Sequence, residues 1–217
     1  CLTKAVTMVN EMKPDAVVFT GDQVNRHYDS EQWDSFAEVI SAIDPSVEVL
    51  HIPGNHDVMI SEGAVDSSPF TDRYGDDRFL LCERGVRLVG INSNLIKYDD
   101  PRETEQLEWM KDALKKKDAS EVSLLFSHHP FFLKEIGEED GYFQIQKSKR
   151  QTYFDLCAES DVDALYAGHL HNNSSGEYSG MPVRTTTSVA FQIGDAQPSI
   201  RVITIADGVI SDRLLNI

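Results

Sequence analysis

Apolar residues follow two different periods along this chain. Runs of consecutive apolar residues are typical of strands that a parallel sheet buries on both faces. Four such runs lie at 15–20, 47–52, 122–127 and 163–168. Between them, apolar residues recur every three or four positions, which predicts helices. These segments lie at 2–12, 33–43, 107–114 and 148–160. The alternation of strand and helix predicts an α/β fold with a largely parallel central sheet.

Capping and turn residues indicate where several elements begin and end. Asp29 precedes the second helix, and Gln32 completes a capping-box pattern with it. Thr104 is expected to cap the third helix. Residues 79–92 predict two strands joined at Arg84-Gly85, and the segment from about 182 predicts several short strands. No repeat or linker interrupts the chain, so we expect residues 1–217 to form a single domain.

Composition and charge exclude several classes of partner. The chain is 41% hydrophobic and 26% charged, and it has no run of eighteen apolar residues that could span a membrane. Its net charge of −16 disfavours nucleic acid and anionic membranes. That charge would also repel a phosphate substrate unless bound cations reversed it locally. Three widely spaced cysteines without a CxxC pattern weakly favour a reducing, cytoplasmic compartment.

Each buried strand is followed directly by residues that can bind a metal or move a proton. The four turns are Gly21-Asp22, Gly54-Asn55-His56-Asp57, His128-His129 and Gly168-His169-Leu170-His171. Ligands of such sheets bind beyond the carboxyl ends of the strands, so we expect these turns to share one rim. Five of the seven histidines of the chain lie there.

Carboxylate, amide and imidazole together form a mixed oxygen and nitrogen ligand set. That set suits Mn²⁺, Fe and Zn²⁺ and needs no thiolate. Asp22 can bridge two ions, and Asn55 offers a neutral oxygen ligand. His56 can be held off the metal, near a leaving group, with Asp57 orienting it.

The motifs GDQVN, GNHD, SHHP and AGHLH resemble, in order and rough spacing, those of the calcineurin-like metallophosphoesterases. The resemblance runs from Val17 to about Asn172. It implies a four-layer αββα sandwich with a binuclear metal site. The family pattern begins with an Asp-x-His motif on a first strand, which this sequence lacks. We therefore expect the natural polypeptide to extend upstream of Cys1 and to carry that strand.

The resemblance also implies a role for each ligand. Asp22 would bridge two divalent or trivalent ions of Mn, Fe, Zn or Mg. Asn55, His128 and His169 would hold the second ion, and His171 the first. Two ligands of the first ion belong to the absent Asp-x-His motif. From residues 1–217 alone, we therefore expect the second ion to bind, and the site of the first to be empty or to hold its ion weakly.

The reaction that the resemblance implies is hydrolysis of a phosphomonoester, with His56 protonating the leaving alkoxide. The stretches 128–143 and 168–178 are most similar to a group of protein serine/threonine phosphatases, so phosphoserine and phosphothreonine are candidate substrates. A phosphodiesterase acting on cyclic nucleotides or other diesters would use the same site. A non-catalytic interaction module on this fold is a further alternative.

Other residues near the motifs have an ordinary structural interpretation. His129 is expected to support the site or line its wall, and His51 to be a hydrogen-bonded core histidine. Four aromatic residues flank the site: Phe131, Phe132, Tyr142 and Phe143. We expect these side chains to pack in the core; the less favoured alternative is that they form a wall of the substrate site.

Overall fold

Two sheet layers packed face to face form the middle of the fold. The computed structural model describes residues 1–116, 118 and 120–217. Its strands are β1 (Ala16–Phe19), β2 (Glu48–His51), β3 (Met59–Ser61), β4 (Ala64–Asp66), β5 (Phe79–Glu83), β6 (Val86–Gly90), β7 (Val122–Ser127), β8 (Ala164–Ala167), β9 (Ser174–Tyr178), β10 (Met181–Thr185), β11 (Ser199–Ala206) and β12 (Val209–Asn216). Its helices are α1 (Leu2–Met12), α2 (Ser30–Ile40), α3 (Ser68–Tyr74), α4 (Ser93–Lys97), α5 (Glu103–Ala113) and α6 (Lys147–Glu159).

The larger sheet has six strands in the order β5-β6-β7-β8-β10-β9. Its four inner strands are parallel, while the edge strands β5 and β9 run antiparallel to their neighbours. The other layer contains the parallel pair β1-β2 and the antiparallel hairpin β11-β12. β7 and β8 are buried along their whole length, as their largely apolar sequences predict.

Three hydrophobic clusters hold the layers together. One packs α5 and α6 against the outer face of the six-stranded sheet, around Leu125 and Phe154. A second lies between the sheets, where Leu124 and Phe126 meet β1, β11 and β12. The third packs α1 against β1 and β2 through Val6 and related residues. The resulting order of helix, sheet, sheet and helix confirms the predicted αββα class.

The capping predictions have different outcomes. The Asp29 carboxylate accepts from the backbone N–H of Gln32, and the Gln32 amide donates to the same carboxylate at 2.9 Å. Thr104 is not a cap, because α5 begins at Glu103 with Arg102 in the cap position. The predicted short strands of the tail are instead two strands of eight residues each, β11 and β12, preceded by β9 and β10.

His51 differs from its predicted environment. Its ring stacks between Phe19, at 5.0 Å between centroids, and Tyr74, at 4.2 Å. Its Nδ1 is buried and has no hydrogen-bond partner among the described residues. Burial lowers the pKa of His51 to about 4, so the ring is neutral at pH 7. Aromatic stacking therefore replaces the expected hydrogen bond.

A cavity of about 810 Å³ separates the two halves of the smaller sheet layer. Val6, Val17 and Phe19 line it on the side of α1 and β1, and Val202 lines it on the side of β11. At one end the cavity reaches His128 and the other histidines of the predicted site. Among the described residues, no helix is long and apolar enough to cross a membrane.

Candidate metal centre

The polar turns after β1, β2, β7 and β8 meet at one rim, as predicted from the parallel strands. The contact between them is so close that glycine is required. A Cβ atom on Gly21 would lie 2.5 Å from the Gly54 nitrogen and 2.5 Å from His128 Nδ1. A Cβ on Gly168 would lie 2.9 Å from the hydroxyl of Thr20. Side chains at these positions would force the turns apart.

Four of the five predicted ligands converge on one point. His128 Nε2 lies 3.0 Å from Asn55 Oδ1, 3.0 Å from His169 Nδ1 and 3.4 Å from Asp22 Oδ2. These four residues come from the turns of four different strands. His128 and His169 are buried, whereas Asn55 and Asp22 are half-buried at the opening.

The protonation state of His128 determines what these atoms can do. Its Nδ1 lies 2.8 Å from the carbonyl oxygen of Thr20, so this nitrogen carries the proton and donates it. The lone pair of a neutral ring is then on Nε2, which faces the Asn55 oxygen and the Asp22 carboxylate. A proton on His169 Nδ1 could satisfy only one of these acceptors. Electron pairs this close repel unless a cation lies among them, so the donor set fits a metal ion.

Burial keeps the histidines in the neutral form that metal binding needs. Burial lowers the pKa of His128, opposed by the neighbouring carboxylate of Asp22. The pKa of His169 falls to about 2, because the ring is buried and lies beside His128 and His171. Burial also lowers the pKa of His129 well below its usual range. His128, His129 and His169 are therefore uncharged imidazoles near the carboxylate of Asp22.

Three predicted ligands have a backbone conformation that side chains rarely adopt. The φ angles are 56° for Asp22, 60° for His169 and 51° for His171. A non-glycine residue in this left-handed region costs on the order of 1–3 kcal/mol and often marks a functional site. Two of these residues, His169 and His171, lie only two positions apart in the turn after β8.

His171 takes no part in the hydrogen bonds that join the four converging residues in the described chain. Its Nδ1 is 2.7 Å from the carbonyl oxygen of Phe191, and its ring is 5.5 Å from the Phe191 ring. Within the described chain, no hydrogen bond or ion pair joins His171 to Asp22, Asn55 or His128. Four of the predicted ligands thus lie together, whereas the His171 ring is hydrogen-bonded to the backbone of Phe191.

His56 is exposed at the mouth of the site, but Asp57 does not orient it. The His56 ring is held by the carbonyl oxygen of Asn25, 3.0 Å from Nδ1, and its backbone N–H donates to Asp22. Asp57 is fully buried and accepts from the backbone N–H groups of Val24 and Gly54. Its carboxylate therefore joins the first two turns, which corrects the role expected from the sequence.

Sequence reasoning missed the helix α4, which supports the site from behind. Ser93 Oγ lies 3.0 Å from His129 Nδ1 and accepts from the His129 backbone N–H. The Asn94 amide donates to the carbonyl oxygens of Pro53 and Gly54. A ring nitrogen of His129 lies within 4.8 Å of ring nitrogens of His128 and His169. The only signal in the sequence is the polar INSN stretch that follows an apolar strand.

Known proteins resemble the chain in sequence and in fold. Residues 1–173 match the family model described as calcineurin-like phosphoesterase. The chain is 29% identical over 222 residues to the serine/threonine-protein phosphatase CPPED1 of Bos taurus, covering 97% of this chain and 71% of that protein. It is 26% identical over 192 residues to a probable cyclic nucleotide phosphodiesterase of Rhodococcus erythropolis, covering 82% and 58%.

Two solved structures share the fold at low sequence identity. A purple acid phosphatase from yellow lupin (Lupinus luteus) seeds has a TM-score of 0.75 and 15% identity, covering 98% of this chain and 46% of that chain. A dimetal phosphatase from Danio rerio has a TM-score of 0.63 and 18% identity, covering 86% and 76%. These likenesses support the four-layer architecture.

We expect Gly21→Ala to destabilise the protein more than Gly85→Ala. Both glycines have positive φ angles, but a Cβ at Gly85 meets nothing within 4 Å. Gly85→Ala should therefore cost only the conformational term, about 1–2 kcal/mol. Gly21→Ala should cost roughly 1–3 kcal/mol more, because the turns must separate. Urea unfolding measures both values, and equal losses would contradict the close approach of the turns.

Proposed function

Since this chain belongs to the calcineurin-like phosphoesterase family and is a metallophosphoesterase, we propose that it hydrolyses phosphomonoesters at a pair of metal ions. The observation that carries the proposal is the convergence of Asp22, Asn55, His128 and His169 within hydrogen-bond reach of one another. We further propose that phosphoserine and phosphothreonine of proteins are its substrates.

The five predicted residues divide between the two ions. Asn55, His128 and His169 hold the second ion, and His171 belongs to the first. Asp22 serves both, because one carboxylate oxygen faces His128 while the other accepts from the His56 backbone N–H. The left-handed backbone at Asp22 supports this assignment, since it turns the carboxylate toward the rim.

When bound, the ions neutralise charge on the phosphoryl oxygens and lower the pKa of a water molecule. They also reverse the local field of a protein whose net charge is −16. The chain itself supplies positioning, because phosphoryl transfer depends on alignment and charge neutralisation more than on covalent chemistry.

His56 is the proton donor for the leaving alkoxide. Its ring is exposed at the mouth of the site, where a substrate can reach it. The Asn25 carbonyl accepts from Nδ1–H, so the ring gives a proton from Nε2 to the ester oxygen only as the imidazolium cation, in which both nitrogens are protonated. The hydrogen bond from the His56 backbone N–H to the Asp22 carboxylate keeps His56 beside the ligands, although its ring is not a ligand in this proposal.

Protein substrates are supported by the serine/threonine-protein phosphatases of Bos taurus, Homo sapiens and other vertebrates, which this chain resembles over more than nine-tenths of its length. A diester substrate is the second candidate, favoured by the resemblance to the Rhodococcus phosphodiesterase. That resemblance covers less of this chain, 82%.

Comparing a monoester with a matched diester tests the reaction. The chelated protein should hydrolyse neither 4-nitrophenyl phosphate nor bis(4-nitrophenyl) phosphate, because the rim alone cannot neutralise phosphoryl charge. Adding Mn²⁺ or Zn²⁺ should restore hydrolysis, with a higher kcat/KM for the monoester. A preference for the diester would favour the second candidate. No hydrolysis with any metal would favour a non-catalytic module.

We expect His56→Ala to lower kcat on the order of 10²–10⁴-fold for alkyl phosphates, because proton donation to the leaving group is lost. Metal content, measured by elemental analysis, should stay near that of the wild type. His27→Ala is the matched control, since His27 lies in a neighbouring loop outside the ligand set. If His56→Ala removed the metal as well, His56 would be a ligand and its assigned role would be wrong.

A further inference from the structure

Two exposed aromatic side chains lie beside the histidines of the site. Tyr142 is 69% exposed, and its ring lies 5.7 Å from the ring of His169. Phe191 is 64% exposed, and its ring lies 5.5 Å from the ring of His171. Large aromatic surfaces normally gain stability from burial, so two of them in solvent beside one site are typical of a binding surface.

Hydrogen bonds from Lys97 hold the loop that carries Tyr142 in place. The Lys97 ammonium donates to the carbonyl oxygens of Gly141, at 3.1 Å, and Gln144, at 2.6 Å. Burial lowers the pKa of Lys97, which is consistent with its position under the loop. Phe143 packs edge-on against Tyr142 at 5.1 Å and also contacts His169. The hydrogen bonds of Lys97 and the packing of Phe143 therefore fix the position of Tyr142 beside His169.

A fully buried arginine fixes the rest of that loop. The Arg150 guanidinium donates to the carbonyl oxygens of Ile136, Glu138 and Ile145. The Ile145 backbone N–H in turn donates to the carbonyl oxygen of Pro130, the last residue of the SHHP motif. The position of the loop is thus tied to the strand end that carries His128.

Hydrogen bonds to His171 fix the position of Phe191 in a similar way. Its carbonyl oxygen accepts from the His171 ring at 2.7 Å, and the Ile193 backbone N–H donates to the His171 carbonyl oxygen at 3.1 Å. The hydroxyl of Ser188 accepts from the Phe191 backbone N–H. Each exposed aromatic is therefore coupled to a different histidine of the same site.

We propose that Tyr142 and Phe191 form a recognition surface for the polypeptide on either side of the phosphorylated residue. The inference rests on the proposed function and names what the site binds besides phosphate. Aromatic faces pack against peptide planes and apolar side chains, and they need no charge on the partner. The two rings contact different histidines of the site, so a ligand that contacts both is better matched by an extended peptide than by a small phosphoester.

The test compares free phosphoserine with a neutral heptapeptide that has phosphoserine at its centre and leucine on either side. In the metal-loaded wild type, kcat/KM should be higher for the peptide. Tyr142→Ala and Phe191→Ala should each reduce the ratio of the two kcat/KM values by roughly 3- to 10-fold, mainly through KM. Tyr142→Phe should keep the ratio, because the aromatic face remains.

Val209→Ala is the matched control. Val209 is 67% exposed, like the two aromatic residues, but it is the first residue of β12. A direct binding measurement uses the same heptapeptide with a non-hydrolysable phosphonate analogue in place of phosphoserine. Its Kd should rise in the two alanine variants, whereas the Kd for inorganic phosphate should not.

The outcomes separate this inference from the proposed function. If the wild type did not hydrolyse phosphoserine or the peptide, the proposed function would be overturned, and the phosphonate Kd values would still test the surface. If hydrolysis occurred and both alanine variants kept the ratio of the wild type, the recognition surface alone would be wrong. An equal loss on phosphoserine and peptide would also overturn it, because the aromatics would then act on the site itself.

Discussion

The hydrogen bond between His128 and the carbonyl oxygen of Thr20 connects the two sheets at the site. Thr20 follows β1 in one layer, and His128 follows β7 in the other. This bond fixes which nitrogen of His128 is protonated, and so directs its lone pair at Asn55 and His169. It can form only because Gly21 has no side chain to separate the turns.

The rim concentrates features that are unfavourable in a protein without a ligand. Asp22, His169 and His171 have left-handed backbones, and several electron pairs face one another across about 3 Å. The surrounding chain is strongly acidic, which opposes the approach of a phosphate. A bound cation would relieve the repulsion and reverse the field at once, so folding, metal binding and substrate binding are coupled at this rim.

The strands, the family and the shared rim could be predicted because each is encoded in short stretches of consecutive residues. Buried strands have continuous apolar sequences, and parallel strands bring their carboxyl ends to one edge. The supporting contacts were not predictable, because they join residues distant in sequence. Ser93 contacts His129, and Asn94 contacts the turn of Gly54. No periodicity marks a five-residue helix such as α4.

The same limit explains individual errors. Asp57 follows His56 in sequence, yet it turns inward to the backbone of Val24 and Gly54. His51 has neighbours from β1 and α3 that stack on its ring, which no local pattern of hydrophobic residues reveals. The exposure of Tyr142 depends on Lys97, more than forty residues away along the chain.

The central claim is that the four converging side chains form a cation site. Urea unfolding of the chelated protein, repeated at increasing Mn²⁺ or Zn²⁺ concentrations, tests it most directly. The account predicts that the free energy of unfolding rises with metal, by about 2.7 kcal/mol at a hundred times the Kd. Asn55→Ala should reduce that increment, because it removes one ligand. An unfolding free energy that stayed constant over the whole range of both metals would contradict the account.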